Sequence, residues 1–402
     1  MPPVAPPPAA PPPLTTTAAQ APAAPAVPPT GRRAHPAPPL DDVRLRPGTP
    51  VLDRGHGEVQ LGTDPRWAVR VGGLDDAEVA WLRELAVRRH TSPTAAARRR
   101  GIDPGRRDEI ALLLHHGGFL QHTGTTDRQP PAVATVTATA DGAADSPTLG
   151  ALRADGAGRA TLATRARRCV GVAGLGRTGA AVALHLATAG VGTLVLQDAS
   201  PVQTTDLGLG AYRPGDVGRP RHETLAATLA QVAPRCRVRT DGAPDVVVLV
   251  ETHSPAPARY ARLVGEGVPH LPVTVREADV VVGPFVLPGT TACARCADLH
   301  RTDDDPVWPA LAAQLRGGTE PPQETTLAAA GASLACAQVL AHLDGLRPTS
   351  AGALLEVALP ETLPEVRRVP PHPRCGCTTL RPAARALGPA GPRRQDEHQA
   401  GA

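Results

Sequence analysis

The sequence predicts an α/β fold over residues 151–380, preceded by a small α+β domain. An apolar run at residues 169–172 leads through a glycine-rich turn into a helical segment, and a second apolar strand follows at residues 193–197. Strand, glycine turn, helix and strand in this order are typical of a parallel sheet with crossover helices. Two close cysteine pairs later in the chain predict a metal site within the same domain.

Composition divides the remaining length into linkers and folded parts. With 402 residues the chain is long enough for two ordinary domains and a tail. The 47 Pro and 40 Gly are concentrated in segments that cannot bury enough apolar surface to fold. Residues 1–40 and 381–402 are therefore predicted to be disordered, and residues 123–150 to be a linker. A recognition role for the N-terminal proline runs is a less favoured alternative.

Charge and hydropathy exclude two classes of partner from the prediction. The formal net charge is only +4, and every basic residue is Arg, so no nucleic-acid footprint is indicated. The longest apolar stretches, such as residues 246–250, have the length of a strand, and no membrane helix is predicted. Because the N-terminus lacks the pattern of a secretory signal, the predicted location is cytoplasmic.

A winged-helix-like α+β domain is predicted over residues 41–122. Residues 53–57 separate two short strands, as in a β-hairpin. A third strand and three helices follow, and Asp103 and Pro104 are start signals for the last helix. These elements are predicted at residues 67–71, at 76–89, in a short helix ending at Gly101, and from Asp103 to Gly117.

This order, with Arg46-Pro47-Gly48 before the hairpin, resembles the PqqD-like peptide-recognition domain. The resemblance implies that the leader peptide of a ribosomally made, modified peptide adds a strand to the sheet edge beside the last helix. A group of arginines would complement an acidic leader, with a solvated helical face as an equally favoured alternative and DNA binding as a disfavoured one. They are Arg88, Arg89, Arg98, Arg99, Arg100, Arg106 and Arg107.

The glycine turn predicts a phosphate site. Gly174 and Gly176 would let the backbone approach a phosphate at the N-terminus of the following helix, and Gly179 would allow close helix–strand packing. Asp198 follows the next strand at the separation expected of a ribose-hydroxyl acceptor. The alternative is that these glycines serve only the packing of an α/β fold.

Residues 171–176, residues 189–192, Asp198, and Asp216-Val217-Gly218 followed by Arg221 resemble the ThiF/MoeB/HesA superfamily, which is related to ubiquitin-activating enzymes. The resemblance implies a Rossmann-like domain that binds ATP with Mg²⁺ and adenylylates the carboxylate of a small protein or peptide. It also implies a homodimer. The implied cofactor-binding residues are Gly171, Gly174, Gly176, Gly179 and Asp198, and Arg221 is the candidate catalytic residue.

Three departures from that superfamily predict a partly degenerate site. The stretch Asp206-Leu207-Gly208-Leu209 stands where the superfamily has Asn-Leu-x-Arg, and Arg221 stands in place of its lysine. The acid associated with magnesium falls near Thr252, with Glu251 one position away. Adenylylation depends on positioning and neutralising phosphate charge, so these losses together predict a large fall in rate.

The two cysteine pairs predict a structural zinc site. Cys293 and Cys296 have the usual two-residue spacer, whereas Cys375 and Cys377 are one residue closer together. Four thiolates in two close pairs suit tetrahedral Zn²⁺, with reduced or redox-active thiols as the alternative. The acidic run Asp303-Asp304-Asp305 is interpreted as a helix N-terminal cap in preference to a magnesium site.

Residues 282–289, with the block 298–309, are similar to ThiF-like partner proteins of thiazole/oxazole-modified peptide clusters. That resemblance implies that the chain presents a leader peptide while a separate cyclodehydratase consumes ATP. Two functions therefore stay open: an ATP-dependent adenylyltransferase with a partly degenerate site, and a non-catalytic leader-peptide-binding scaffold.

Overall fold

The structure is a computed structural model. Its described residues are 15–18, 40–46, 49–63, 68–87, 92–122, 142–152, 156, 158–316 and 320–379. Internal contacts divide the chain into two units, residues 1–138 with 144–160, and residues 139–143 with 161–402.

The N-terminal unit contains a four-stranded antiparallel sheet in the order β1-β5-β4-β3. The predicted hairpin and third strand are confirmed, and a short two-stranded ladder joins β2 to β6, at the two ends of the predicted domain. The strands are β1 Thr15–Ala18, β2 Val43–Leu45, β3 Val51–Gly55, β4 Glu58–Leu61, β5 Val69–Gly72 and β6 Leu120–His122.

The three predicted helices of this unit are confirmed as α1 (Asp76–Val87), α2 (Pro93–Arg99) and α3 (Pro104–His116). Asp103 caps α3 by accepting hydrogen bonds from the first N–H groups of the helix. The helices cover the sheet through one apolar cluster, whose most deeply buried side chains include Trp81, Leu82, Ile110, Val59 and Leu61.

Two segments differ from the expectation of chain without regular structure. Thr15–Ala18, inside the segment predicted to be disordered, form strand β1. The predicted linker contains a 3-10 turn, Ala143–Asp145, and helix α4, Ser146–Ala151. Composition averaged over a long segment conceals a short stretch of β-formers such as the three threonines of β1. The predicted tail at 381–402, Arg88 and Arg89 lie outside the described residues.

The second unit is built on an eight-stranded sheet in the order β14-β13-β12-β11-β10-β7-β8-β9. Strands β11, β10, β7, β8 and β9 are parallel, and β12 to β14 are antiparallel additions. The predicted α/β class is confirmed. The strands are β7 Cys169–Ala173, β8 Thr193–Gln197, β9 Arg237–Arg239, β10 Val246–Thr252, β11 His270–Val275, β12 Asp279–Val282, β13 Ala353–Ala358 and β14 Pro364–Arg368.

Helices α6 and α11 pack against each other and share one apolar core with the central strands. Helix α6 begins at Arg177, immediately after the glycine turn, as the predicted order of strand, turn and helix requires. The helices are α5 Gly158–Arg165, α6 Arg177–Thr188, α7 Arg221–Val232, α8 Pro257–Gly265, α9 Ala294–Asp304, α10 Trp308–Leu315 and α11 Thr325–Leu343.

Helix α11 is long and apolar enough to cross a membrane by length and composition alone. Leu327, Ala332, Ala335, Val339 and Leu343 of this helix are buried in the core of the second unit. Half of the most apolar 18-residue stretch of this helix is buried inside the protein, as in the core helix of a globular domain.

Candidate functional site

The glycine turn joins β7 to α6 and brings three backbone segments close together. Gly174 has φ +81°, and a Cβ added there would collide with the carbonyl of Val250. A Cβ at Gly179 would collide with the carbonyl of Gly174, and one at Gly171 would lie 3.3 Å from Pro244 and Val247. Close packing alone therefore requires glycine at Gly174 and Gly179.

Asp198 follows β8 and lies beside the turn, as predicted. Its carboxylate accepts hydrogen bonds from the backbone N–H of Leu175 at 2.8 Å and of Ser200 at 2.9 Å. Arg221 Nη1 donates a third, at 3.1 Å. Burial alone would raise the pKa of Asp198, but these donors outweigh burial and hold that pKa below its usual value. The carboxylate is thus ionised and already has several partners within the protein.

Arg221, the first residue of α7, is buried at the centre of an ion-pair cluster. Its Nε and Nη2 atoms donate to the two carboxylate oxygens of Asp206, at 2.8 and 2.9 Å. Nη1 donates to Asp198, and Nη2 also reaches Glu320 Oε2 at 3.2 Å. Burial would lower the pKa of Arg221, but hydrogen bonding to Asp206 and the charge of Glu320 raise it above its usual value. All three donor atoms of the guanidinium have carboxylate partners.

Side chains from the segment before α11 lie over the N-terminus of α6. Gln323 Oε1 accepts from the backbone N–H of Thr178 at 3.0 Å and from its hydroxyl at 2.6 Å. A Cβ added at Gly176 would lie 2.8 Å from Glu320 Oε1, so that carboxylate is in contact with the turn. The amide oxygen and the carboxylate are acceptors placed where a phosphate would otherwise meet free N–H groups.

ATP with Mg²⁺ does not fit this arrangement of residues. Asp198, Asp206 and Glu320 surround a single guanidinium, so the cluster carries net negative charge, whereas a triphosphate requires cations or free N–H donors. Glu251 is not a substitute for the missing magnesium acid. Its carboxylate accepts hydrogen bonds from the Tyr260 hydroxyl, 2.7 Å away, and from a backbone N–H at the start of α8.

The structure brings the four predicted zinc ligands together. The Sγ atoms of Cys293, Cys296, Cys375 and Cys377 all lie within 4.8 Å of one another. The two cross-pairs, Cys293 with Cys375 and Cys296 with Cys377, are each separated by 3.5 Å. Zn–S bonds of about 2.3 Å in a tetrahedron require sulfur separations of nearly this size, so the residues fit Zn²⁺.

Gly376 makes the shorter second pair possible. It has φ +70°, which turns the chain so that the two flanking cysteines face the same point. The backbone N–H of His372 donates to Cys296 Sγ at 3.3 Å. His372 Nε2 in turn lies 2.8 Å from Asp303 Oδ2, and Arg374 also pairs with Asp303. These contacts fix the loop that carries the second pair.

The acidic run has a different place from the one predicted. Asp303 and Asp304 are the last residues of α9, not the first residues of a helix. Only Asp305 has the character of a cap, because its carboxylate accepts from the backbone N–H of Val307 just before α10. Asp303 instead belongs to the loop contacts beside the cysteines.

The predicted basic surface of the N-terminal unit is reduced by internal ion pairs. Arg106 is buried and donates to Glu78 at 2.8 Å, and Arg99 and Arg100 both pair with Glu84. An acidic partner would therefore compete with existing carboxylates at these positions. This finding weakens the interpretation of these arginines as a dedicated leader-binding patch.

Of the predicted site residues, the cofactor-binding candidates Gly176 and Asp198 and the catalytic candidate Arg221 meet around one turn, and the cysteines form a separate site. Sequence reasoning missed Glu320 and Gln323. They lie some 145 residues along the chain from the turn, and no spacing pattern connects them to it.

Residues 154–244 match the sequence model of the ThiF family. No curated protein sequence matches the chain. The crystal structure of E. coli MccB with ATP is 16% identical, covers 84% of this chain and 99% of its own, and has a TM-score of 0.62. The microcin C7 biosynthetic enzyme MccB in complex with N-formylated MccA has the same identity, coverage and TM-score.

A crystal structure of PaaA is 15% identical, covers 65% of this chain and 91% of its own, and has a TM-score of 0.52. Identities this low show the fold alone. Residues 154–244 thus match the ThiF family model, and the chain has the fold of the MccB structures.

Proposed function

We propose that this chain is a peptide-binding protein in which the ThiF-type unit is a scaffold and its nucleotide site does not adenylylate. The observation that carries the proposal is the Arg221 cluster. The guanidinium at the position of the superfamily's lysine donates from all three of its nitrogens to Asp206, Asp198 and Glu320, and these bonds use four of its five N–H groups. Breaking a buried ion pair of this kind costs about 3–5 kcal/mol, which a nucleotide would have to offset on binding.

The zinc site supports a structural role for the same unit. Four cysteine ligands leave no open position, so a Zn²⁺ held there would stabilise the fold and would not bind a substrate. The peptide would bind to the N-terminal unit, whose hairpin, third strand and three helices are the elements on which the resemblance to the PqqD-like domain rests. A separate cyclodehydratase would then supply the ATP-dependent chemistry.

An adenylyltransferase is the second candidate, and one observation favours it. The glycine turn and Asp198 keep the positions expected of an ATP site, and MccB, which has the same fold, has been solved with ATP. For this candidate to hold, Glu320 and Gln323 would have to leave the N-terminus of α6 when nucleotide arrives.

ATP–pyrophosphate exchange on the zinc-replete full chain separates the two candidates. It is measured with and without precursor peptides encoded beside the chain, alongside peptide binding followed by hydrogen exchange. We expect no exchange of pyrophosphate, micromolar peptide affinity, and amide protection confined to residues 41–122. Pyrophosphate exchange that is lost in Asp198→Ala would instead establish the adenylyltransferase.

A further inference from the structure

Strand β1 occupies one edge of the N-terminal sheet. It runs antiparallel to β5 in unbroken register, with Thr15 opposite Gly72 and Ala18 opposite Val69. Because β4 takes the other side of β5, the edge of β5 would be open without β1. A short segment from the proline-rich N-terminus therefore completes the sheet.

Without β1 the sheet consists of β5, β4 and β3, and its two edge strands, β5 and β3, differ in how readily they can pair with a further strand. On the β3 side the register shifts between Asp53 and Gly55, and such a bulge disrupts pairing at an edge. On the β5 side the pairing with β4 is regular, and residues 69–72 contain no proline. The β5 edge is therefore the one suited to strand addition.

The sequence around β1 is suited to this pairing. Residues 14–21 are the longest stretch without proline between residues 2 and 39, and they contain three consecutive threonines. Threonine favours extended backbone, and each non-proline residue can donate an N–H group to a ladder. Pro13 and Pro22 flank this stretch in the sequence.

We propose that Thr15–Ala18 act as an internal competitor that holds the β5 edge, so that an extended peptide must displace β1 in order to bind there. The inference rests on the proposed peptide-binding function and specifies its regulation. Affinity at such an edge comes mainly from backbone hydrogen bonds, which both strands would make in the same positions. One edge cannot pair with both strands at once.

The strength of the competition follows from the covalent connection. Segments 15–18 and 40–46 belong to one chain, separated by residues 19–39, so the pairing is intramolecular. Chain segments of this length give effective concentrations of ~1 mM. Suppose that the isolated strand pairs with the β5 edge with a Kd of ~100 μM. Competition from the tethered β1 then lowers the apparent affinity of a separate peptide of the same sequence by roughly tenfold.

The test uses the full chain in three forms: wild type, Thr16→Pro/Thr17→Pro, and the control Thr16→Val/Thr17→Val. The proline pair removes two adjacent N–H groups, one of which must face β5, whereas the valine pair keeps both and favours a strand. We expect the amides of Val69–Gly72 that face β1 to exchange at least ~10-fold faster in the proline form only. Equal exchange in all three forms would overturn the proposal.

A synthetic peptide of residues 10–24, labelled and added in trans, gives the second readout. We expect it to bind the proline form roughly tenfold more tightly than the wild type or the valine control. Equal affinity of the peptide for all three forms would mean that β1 does not compete for the β5 edge, and would overturn the proposal. Neither readout uses a precursor peptide or ATP, so a failure here is distinguishable from a failure of the proposed scaffold function.

Discussion

At the scale of single residues, two departures from the ThiF pattern form one interaction. Asp206 stands where the superfamily pattern has asparagine and Arg221 where it has lysine, and in the sequence these are two separate departures. In the structure they form a two-point ion pair at 2.8 and 2.9 Å. Arginine presents the planar fork that such pairing needs, and lysine does not. The changes are therefore complementary, as expected of a site that now stabilises the fold.

Replacing Arg221 tests that structural role. Arg221→Met leaves Asp206, whose side chain is only 3% exposed, as a buried charge without its cation. We expect a loss of about 3–5 kcal/mol in the free energy of unfolding, measured with urea. The matched control is Arg219→Met, because Arg219 is 61% exposed and its change should cost about 0.5 kcal/mol or less. Equal effects of the two changes would contradict the role of the cluster.

The contribution of Asp198 to the free energy of unfolding depends on pH in a defined direction. Its pKa in the folded chain lies below the unfolded value of about 3.9, so its stabilising contribution is present above that pH. The contribution is lost as the pH falls through the folded pKa. We expect the difference in unfolding free energy between wild type and Asp198→Asn to shrink as the pH falls below about 4. A difference that stays constant from pH 6 to pH 3 would argue against this assignment.

At the scale of elements, the N-terminus of α6 is closed by the segment before α11. Gln323 accepts from the Thr178 N–H, and Glu320 contacts the turn at Gly176. We expect Glu320→Ala/Gln323→Ala to raise the affinity for Mg-ATP roughly tenfold, because one nearby negative charge and one competing acceptor are removed. Equilibrium dialysis measures this, with Glu365→Ala, an exposed change on β14, as the control. No gain would mean that the Arg221 cluster alone blocks the site.

The turn between Cys375 and Cys377 depends on the backbone of one glycine. Gly376 has φ +70°, and the nearest atom to an added Cβ is 3.8 Å away, so Gly376→Ala adds backbone strain without a clash. The left-handed conformation costs roughly 1–2 kcal/mol for alanine. We expect about one Zn²⁺ per wild-type chain by elemental analysis, and roughly tenfold weaker zinc retention against a chelator in this variant.

Cys296→Ser removes a ligand outright and should abolish stoichiometric zinc. Cys236→Ser is the matched control, because Cys236 is a buried cysteine that belongs to the apolar core and not to the cluster. A wild-type chain purified without zinc under metal-replete conditions would contradict the assignment.

At the scale of the whole molecule, the sequence predicts what depends on neighbouring residues. The order of strand, glycine turn and helix, the place of Asp198 after β8, and the capped helix α3 are all determined within about thirty residues of chain, and the structure has each of these local features. Glu320 contacts Arg221, which is about 100 residues away in the sequence, and only tertiary packing brings the two together. Periodicity and motif spacing therefore could not predict this contact. Strand β1 was missed for the opposite reason, because four residues cannot outweigh the composition of the forty around them.

The proposed closure of the nucleotide site has a consequence for the stability of the whole second unit. A ligand that binds only the folded state at 100 times its Kd stabilises that state by about 2.7 kcal/mol. An ATP site with a Kd of ~10 μM would therefore raise the unfolding midpoint by several degrees at ~1 mM Mg-ATP. We expect a shift of less than about one degree in the wild type, measured by calorimetry of the zinc-replete chain. A rise of several degrees that disappears in Asp198→Ala would mean that Glu320 and Gln323 move aside for nucleotide, and that the glycine turn still serves an adenylyltransferase.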